Sequence, residues 1–263
     1  MHQKGDRRLK KCHDLIILEN INIAKDTYKM SLKADTVEFD TLTPGTFINI
    51  KIEKGGAPLL RRPISIFDAD EKNKVLKIIY KNLGYGTGLM TKLVPGDVLD
   101  VLGPLGTGFP IQNASKSVLL VGGGVGVPPL YELGKRLLKE GVKVTSVLGF
   151  RDKESAFGME DFDSIGKCYI ATEDGTLGDK GFVTDAIKKH QIDFDTIYAC
   201  GPKVMLKALD EAYKGKKEGY LSFEERMACG IGACYACMID TKDGLKRVCK
   251  DGPVFKLGEV TYE

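Results

Sequence analysis

No stretch of this 263-residue chain approaches the roughly 18 consecutive apolar residues that a membrane-spanning helix requires, so no membrane partner is expected. Charge of one sign is not in excess either: the formal net charge is +3, too small to suggest binding to nucleic acid. Residues 1–11 are polar and basic without an apolar centre, which is not the pattern of a secretory signal. The seven cysteines are an odd number, which argues against a disulfide framework. Together these absences predict a reducing, cytoplasmic setting. There is no internal repeat and no low-complexity tract.

Glycine is abundant instead. Its 31 residues exceed the usual share of about 7%, and many fall in tight loops where a backbone can approach phosphate. Four of the cysteines gather near the C-terminus. Cys229, Cys234 and Cys237 have the spacing C-x4-C-x2-C, and Cys249 follows after a short segment. This is the spacing of plant-type [2Fe–2S] loops, with Cys249 closer to Cys237 than the fourth ligand of a ferredoxin usually lies. Gly230, Gly232 and Ala233 leave the backbone free to turn its N–H groups toward cluster sulfurs. The alternative is a zinc site. Zinc modules usually grip the ion with two C-x2-C pairs, and here only Cys234 and Cys237 are so spaced. Cys12 and Cys168 read as ordinary small apolar residues.

The first third of the chain contains short strand-like runs: 15–23, 28–32, 47–52, 64–67, 75–80 and 98–101. Turn signals at Pro44-Gly45, Gly55-Gly56 and Pro95-Gly96-Asp97 separate them, which predicts a small antiparallel barrel. A helix is expected over 87–93. Beyond Gln112 the pattern alternates. Strands are expected at 117–121, 142–148, 168–172 and 196–200. Helices are expected after Gly126 (on Leu130, Leu133, Leu137 and Leu138), at 182–189 and at 203–213. Strands alternating with helices predict a doubly wound parallel α/β sheet. Residues 214–219 read as a polar linker to the cysteine segment, which is too small to fold well without its metal. The expected division is 1–112, 113–215 and 216–263.

Three loops suit ligands. Arg61-Arg62-Pro63-Ile64-Ser65 enters a strand through two guanidinium groups, which match a phosphate bidentately; a solvated strand edge would look the same. Leu83-Gly84-Tyr85-Gly86-Thr87-Gly88 precedes a helix and could receive a pyrophosphate or be a plain turn. Gly122, Gly123, Gly124 and Gly126 follow the first strand of the α/β half, where dinucleotides bind. They do not form G-x-G-x-x-G, because Val127 stands where the pattern continues. Cys200-Gly201-Pro202 closes a later strand. There Cys200 is either at a nicotinamide or a buried structural residue.

In this order the loops resemble the ferredoxin–NADP reductase family. With the cysteine segment added, they resemble its branch of electron-transfer subunits serving NAD-dependent dihydroorotate dehydrogenases. The resemblance spans the chain from about residue 14. It implies FAD between barrel and α/β domain, with Arg62, Pro63, Ile64 and Ser65 along the flavin and its phosphates. Ile79, Tyr80 and Lys81 would follow on the next strand, and Gly86 and Thr87 would take the pyrophosphate. Gly122, Gly123, Gly124 and Gly126 would meet NAD, and Cys229, Cys234, Cys237 and Cys249 would hold the cluster. Ser65 and Cys200 are the candidates for shaping hydride geometry. The resemblance further implies an FMN-containing catalytic subunit that oxidises dihydroorotate to orotate in pyrimidine biosynthesis, in a heterotetramer of two of each chain. Electrons would run FMN, cluster, FAD, NAD+. Related subunits serve ferredoxin–NADP reductases, sulfide dehydrogenases and hydrogenases, and a zinc-bearing nucleotide sensor is the non-enzymatic alternative. Arg151 keeps NADP open. Tyr262 is penultimate and is not assigned the flavin-shielding role of the terminal aromatic in plant-type reductases.

Overall fold

The structure is a computed structural model that describes residues 10–52, 57–111 and 116–262. The turn expected at Gly55-Gly56, the boundary at 112/113 and most of the basic N-terminus lie outside those residues.

Six antiparallel strands close a barrel in the order β1-β2-β5-β4-β3-β6. They are β1 (Cys12–Ala24), β2 (Thr27–Lys33), β3 (Phe47–Ile50), β4 (Arg62–Asp70), β5 (Val75–Lys81) and β6 (Val98–Leu105), with α1 (Tyr85–Met90) between the last two. Alternation builds it. His13, Leu15 and Ile17 of β1 are buried while Cys12, Ile16 and Leu18 face out. Cys12 is thus exposed, contrary to its reading as a small apolar residue. Leu15, Met30, Leu32, Ile48, Ile50, Leu76 and Ile78 fill the interior.

The second half runs β7 (Ser117–Gly123), α2 (Pro128–Lys139), β8 (Lys143–Phe150), α3 (Met159–Asp163), β9 (Lys167–Thr172), β10 (Asp179–Lys180), α4 (Val183–Lys189), β11 (Thr196–Cys200), α5 (Lys203–Tyr213) and β12 (Glu218–Ser222). Val118, Leu119, Leu120 and Val121 of central β7 are all buried, as a parallel strand covered on both faces requires. Leu130, Leu133 and Leu137 of α2 share the inner face, but Leu138 lies a further 100° round and is exposed.

Residues 214–219 are not simply a linker: Glu218 and Gly219 already belong to β12, which pairs in parallel with β11. After β12 come the hairpin strands β13 (Met238–Thr241) and β14 (Gly244–Arg247), then β15 (Val254–Lys256). β15 pairs antiparallel with β12, giving a seven-stranded sheet ordered β10-β9-β8-β7-β11-β12-β15. The cysteine segment is therefore a loop between two strands of the α/β sheet. Cys237, Ile239, Val248, Cys249 and Phe255 share one core with Leu119, Val121 and Leu221.

Barrel and sheet meet along α2 and β4. Phe67 stacks on Tyr131 at 4.7 Å. Asp68 is held by Lys77 at 2.9 Å and by Lys135, while Glu132 accepts from Lys135 at 3.1 Å and Arg136 at 2.8 Å. Arg136 also donates to the Leu42 carbonyl at 2.7 Å. Among the described residues no helix is long and apolar enough to cross a membrane.

Candidate functional site

β7 and β11 lie side by side, and the chain turns away from them in opposite directions, toward β8 on one side and β12 on the other. Such a switch point opens a crevice outside the carboxyl ends of the strands. Here the crevice faces the barrel. A cavity of about 240 Å3 is lined from the barrel by Phe47, Arg62, Pro63, Ile64, Ser65, Ile79, Tyr80, Lys81 and Thr87. Leu83 also lines it, and from the α/β side Val125, Cys200, Ser222, Phe223, Glu224, Glu225, Met227 and Pro253 complete it.

The two arginines of the β4 entry part company. Arg61 is consumed internally: it pairs with Asp100 at 2.9 Å and donates to the carbonyls of Asp100 at 3.0 Å and Asn49 at 3.3 Å. Arg62 has no carboxylate partner among the described residues and meets only the carbonyls of Leu60 and Arg61. Its guanidinium crosses the backbone of Gly86, where a Cβ would lie 2.2 Å from Nε. Gly86 is thus a cradle for Arg62, and the open cation of this loop is Arg62. Thr87 is occupied locally, its Oγ1 accepting from the N–H groups of Leu83 at 3.0 Å and Gly84 at 3.2 Å. α1 has only six residues, so the guanidinium, rather than a helix dipole, is the main attraction for an anion. The Tyr80 hydroxyl turns away and donates to Asn20 at 2.9 Å, its pKa raised to about 12 by burial.

The four glycines after β7 do different things. Gly122 is the register partner of Cys200, and a Cβ on it would meet Val127 at 2.8 Å. Gly123 lies against Pro202 and Met205, and Gly126 against the Cys200 carbonyl, where a Cβ would fall at 2.4 Å. Gly124, at φ +52°, faces open space. The run lets the turn after β7 press against the end of β11, and it leaves one glycine free for a ligand. Cys200 is 1% exposed and its thiol is raised far above the ordinary range by burial and then by nearby Glu224. Glu224 is itself pushed up by burial.

Below the cleft the thiols form two pairs. Cys229 is a hydrogen-bond neighbour of Cys234, and Cys249 of Cys237, and all four are free thiols. Burial raises Cys229, but the N–H groups of Ile231, Cys234 and Ala233 outweigh it and bring the thiol down to about 6. Burial and then the neighbouring Cys237 push Cys249 up to about 12. Ile231 and Ala233 donate to Cys229 Sγ at 3.5 and 3.3 Å, and the Cys249 N–H to Cys237 Sγ at 3.4 Å. Arg247 pins the loop by donating to the Gly232 carbonyl at 3.1 Å and lying over the Tyr235 ring at 5.1 Å. Two pairs, each with backbone donors, fit a two-iron centre, one pair per iron.

Comparison with known proteins agrees. Residues 120–211 match the oxidoreductase NAD-binding domain, and residues 224–261 match the iron-sulfur cluster binding domain of dihydroorotate dehydrogenase B. A dihydroorotate dehydrogenase B (NAD(+)) electron transfer subunit from Geobacillus sp. (strain WCH70) is 50% identical, over 95% of this chain and 98% of that one. The chain belongs to this family of electron transfer subunits. Its counterpart from Bacillus mycoides (strain KBAB4) is 48% identical over 94% of this chain and 97% of its own. The solved NADH-dependent reduced ferredoxin–NADP oxidoreductase superposes with a TM-score of 0.85 at 31% identity, covering 94% of this chain and 90% of that one. A cytochrome P450 reductase from Amycolatopsis (TM-score 0.67, 24% identity, 80% and 68% covered) shares the fold.

Ser222, Phe223, Glu224 and Met227 line the cleft, and the residue pattern did not single them out. The signal lies in the fold alone. They follow a strand, and β12 ends beside β11, where the carboxyl-end rule points. Tyr262 packs against Phe223, one layer behind the cleft.

Proposed function

We propose that the cleft holds FAD and the paired thiols hold a [2Fe–2S] cluster, and that the chain relays electrons from a dihydroorotate-oxidising partner to NAD+. The observation that carries this is the adjacency of the two sites: Phe47 both lines the cleft and packs in the core that contains Cys237 and Cys249. A bound flavin can exchange hydride with nicotinamide and single electrons with an iron–sulfur centre.

The chain's own residues then bind, orient and exclude water. Arg62, cradled on Gly86, neutralises the phosphates, with Thr87 at the same turn. Pro63, Ile64 and Ser65 form one wall with Ile79, Tyr80 and Lys81, and Tyr80 contributes through its backbone. Gly124 admits the nicotinamide dinucleotide, while Gly122, Gly123 and Gly126 hold the turn that presents it. Ser65 and Cys200 flank the reacting face. Cys200 keeps its proton and acts by shape, not as a base. Cys229, Cys234, Cys237 and Cys249 would hold the cluster.

The division of labour proposed is 1–112 for flavin, 113–215 for nicotinamide and 216–263 for the cluster, with β12 and β15 tying the last region into the sheet of the second. The partner is an FMN-containing catalytic subunit in a heterotetramer of two of each chain, in the cytoplasm, serving pyrimidine biosynthesis. NAD is favoured over NADP because the matched relatives are named for NAD(+). The test is co-purification from the source cell. Dihydroorotate-dependent NAD+ reduction that needs both chains is expected. NAD(P)H-dependent ferredoxin reduction without such a partner would overturn the assignment in favour of the ferredoxin-linked relatives. Colourless protein free of iron and acid-labile sulfide would overturn the cluster.

A further inference from the structure

Strand β3 separates the two sites. Its residues alternate: Ile48 and Ile50 enter the barrel core, while Phe47 packs outside it, in the core shared with Cys237 and Cys249. Asn49 lies on the same outer side as Phe47. It is 0% exposed, and neither Oδ1 nor Nδ2 has a partner among the described residues. A buried carboxamide left unpaired loses its hydration without compensation, so an apolar residue would suit a purely structural role better. The group is aimed at the cysteine loop: a Cβ on Gly230, the residue after Cys229, would lie 2.5 Å from Nδ2. Behind it, the register partner of Asn49 on β4 is Pro63, which lines the cleft. The carboxamide is thus a donor between flavin cleft and thiol loop whose acceptor the described residues do not supply.

We propose that Asn49 is a positioning residue for the iron–sulfur centre, its side-chain N–H donating to a sulfur of the bound cluster from the flavin side. This rests on reading the four thiols as a [2Fe–2S] holder. The loop's own N–H groups serve Cys229 and Cys237 from within, and Asn49 adds one donor from outside the loop. A donor to sulfur favours the more negative, reduced state and raises the reduction potential.

The experiment is a redox titration monitored by electron paramagnetic resonance on anaerobically purified wild type, Asn49→Leu and Asn49→Ser. Leu keeps most of the volume and removes the donor, whereas Ser keeps a donor. At the wild-type midpoint the reduced-to-oxidised ratio of the cluster is expected to fall about tenfold in Asn49→Leu, a shift of about 59 mV for one electron. Iron content and the flavin midpoint should stay unchanged, and Asn49→Ser should recover part of the shift. An unchanged cluster midpoint in Asn49→Leu would overturn the proposal, as would equal shifts in both variants or loss of iron from both. Wild-type protein without iron and sulfide would instead sink the cluster reading, and the role of Asn49 with it.

Discussion

The cleft wall and the thiol loop are built differently. The wall is strand: β3 pairs β4 from Phe47–Ser65 to Ile50–Arg62, and β4 and β5 continue the ladder. Residues 223–237, which carry three of the four thiols, contain no helix and no strand, and Gly230, Gly232 and Tyr235 have positive φ. Backbone pairing fixes the wall before any ligand arrives. The loop is fixed by a few side chains, chiefly Arg247 and the buried half of the thiol set. Within that set Cys237 and Cys249 are buried in the shared core, while Cys234 is exposed. The cluster would therefore be anchored on its inner iron and open on its outer one. That arrangement suits a centre which takes electrons from outside and passes them inward.

The strongest way to break this contrast is Cys249→Ser. Removing the inner ligand should abolish cluster absorbance and electron paramagnetic resonance signal while FAD stays bound, because the wall needs nothing from the loop. Unchanged cluster absorbance would remove Cys249 from the ligand set. Joint loss of FAD and cluster would show that the wall depends on the loop after all.

Gly126→Ala attacks the α/β side. Its Cβ would fall 2.4 Å from the Cys200 carbonyl, and backbone has little room to give. The expected loss is about 2–3 kcal/mol, read as a fall of roughly 5–10 °C in Tm with weakened NAD binding. Gly86→Ala should be gentler on the fold and more selective in function. The clashing atoms are the end of a flexible side chain, so Arg62 swings aside. FAD affinity should fall about tenfold, close to 1.4 kcal/mol, with iron content unchanged. Equal FAD affinity in titration calorimetry would show that Arg62 does not hold the phosphates.

The same contrast explains what could be read in the sequence. β1–β6 and the βα alternation announced themselves through apolar patterning and turn residues, because a strand or helix that buries one face must show its period. The cysteine spacing was legible because ligand chemistry fixes it. β12 was hidden by Lys216, Lys217 and Glu218, whose charges read as a linker. The hairpin β13–β14 is short and half-exposed and shows little alternation. Phe223, Glu224 and Met227 could not be placed in the cleft, because only the position of β12 beside β11 brings them there. Arg61 and Arg62 look alike in the sequence; only tertiary partners show that Asp100 takes one and leaves the other free. Asn49 carried no signal, since an asparagine in a strand looks like a weakness until its surroundings are known.

The smallest predicted effect concerns the seam that keeps the cleft's two halves in register. Asp68 on β4 is held by Lys77 and Lys135, and Lys135 is also paired with Glu132 on α2. Burial opposes ionisation of Asp68, but hydrogen bonds from the two lysines outweigh it and lower its pKa below 3.8. Both lysines are raised above 10.5 by the reverse contest. A depressed carboxyl stabilises the fold above its unfolded value and loses that contribution as pH falls through the folded value. The raised lysines contribute below 10.5 and lose it as pH rises through their folded values. Asp68→Asn should therefore cost a steady amount between about pH 5 and pH 10, and the gap from wild type should close below about pH 4. Because Lys77 is 37% exposed, the cost is discounted from a fully buried network to about 1–2 kcal/mol. Denaturant titrations across pH measure it directly. A gap that does not narrow at all as pH falls below 3.8 would mean that Asp68 acts through packing and not through its charge, and that the two walls of the cleft are joined by the Phe67–Tyr131 stack instead.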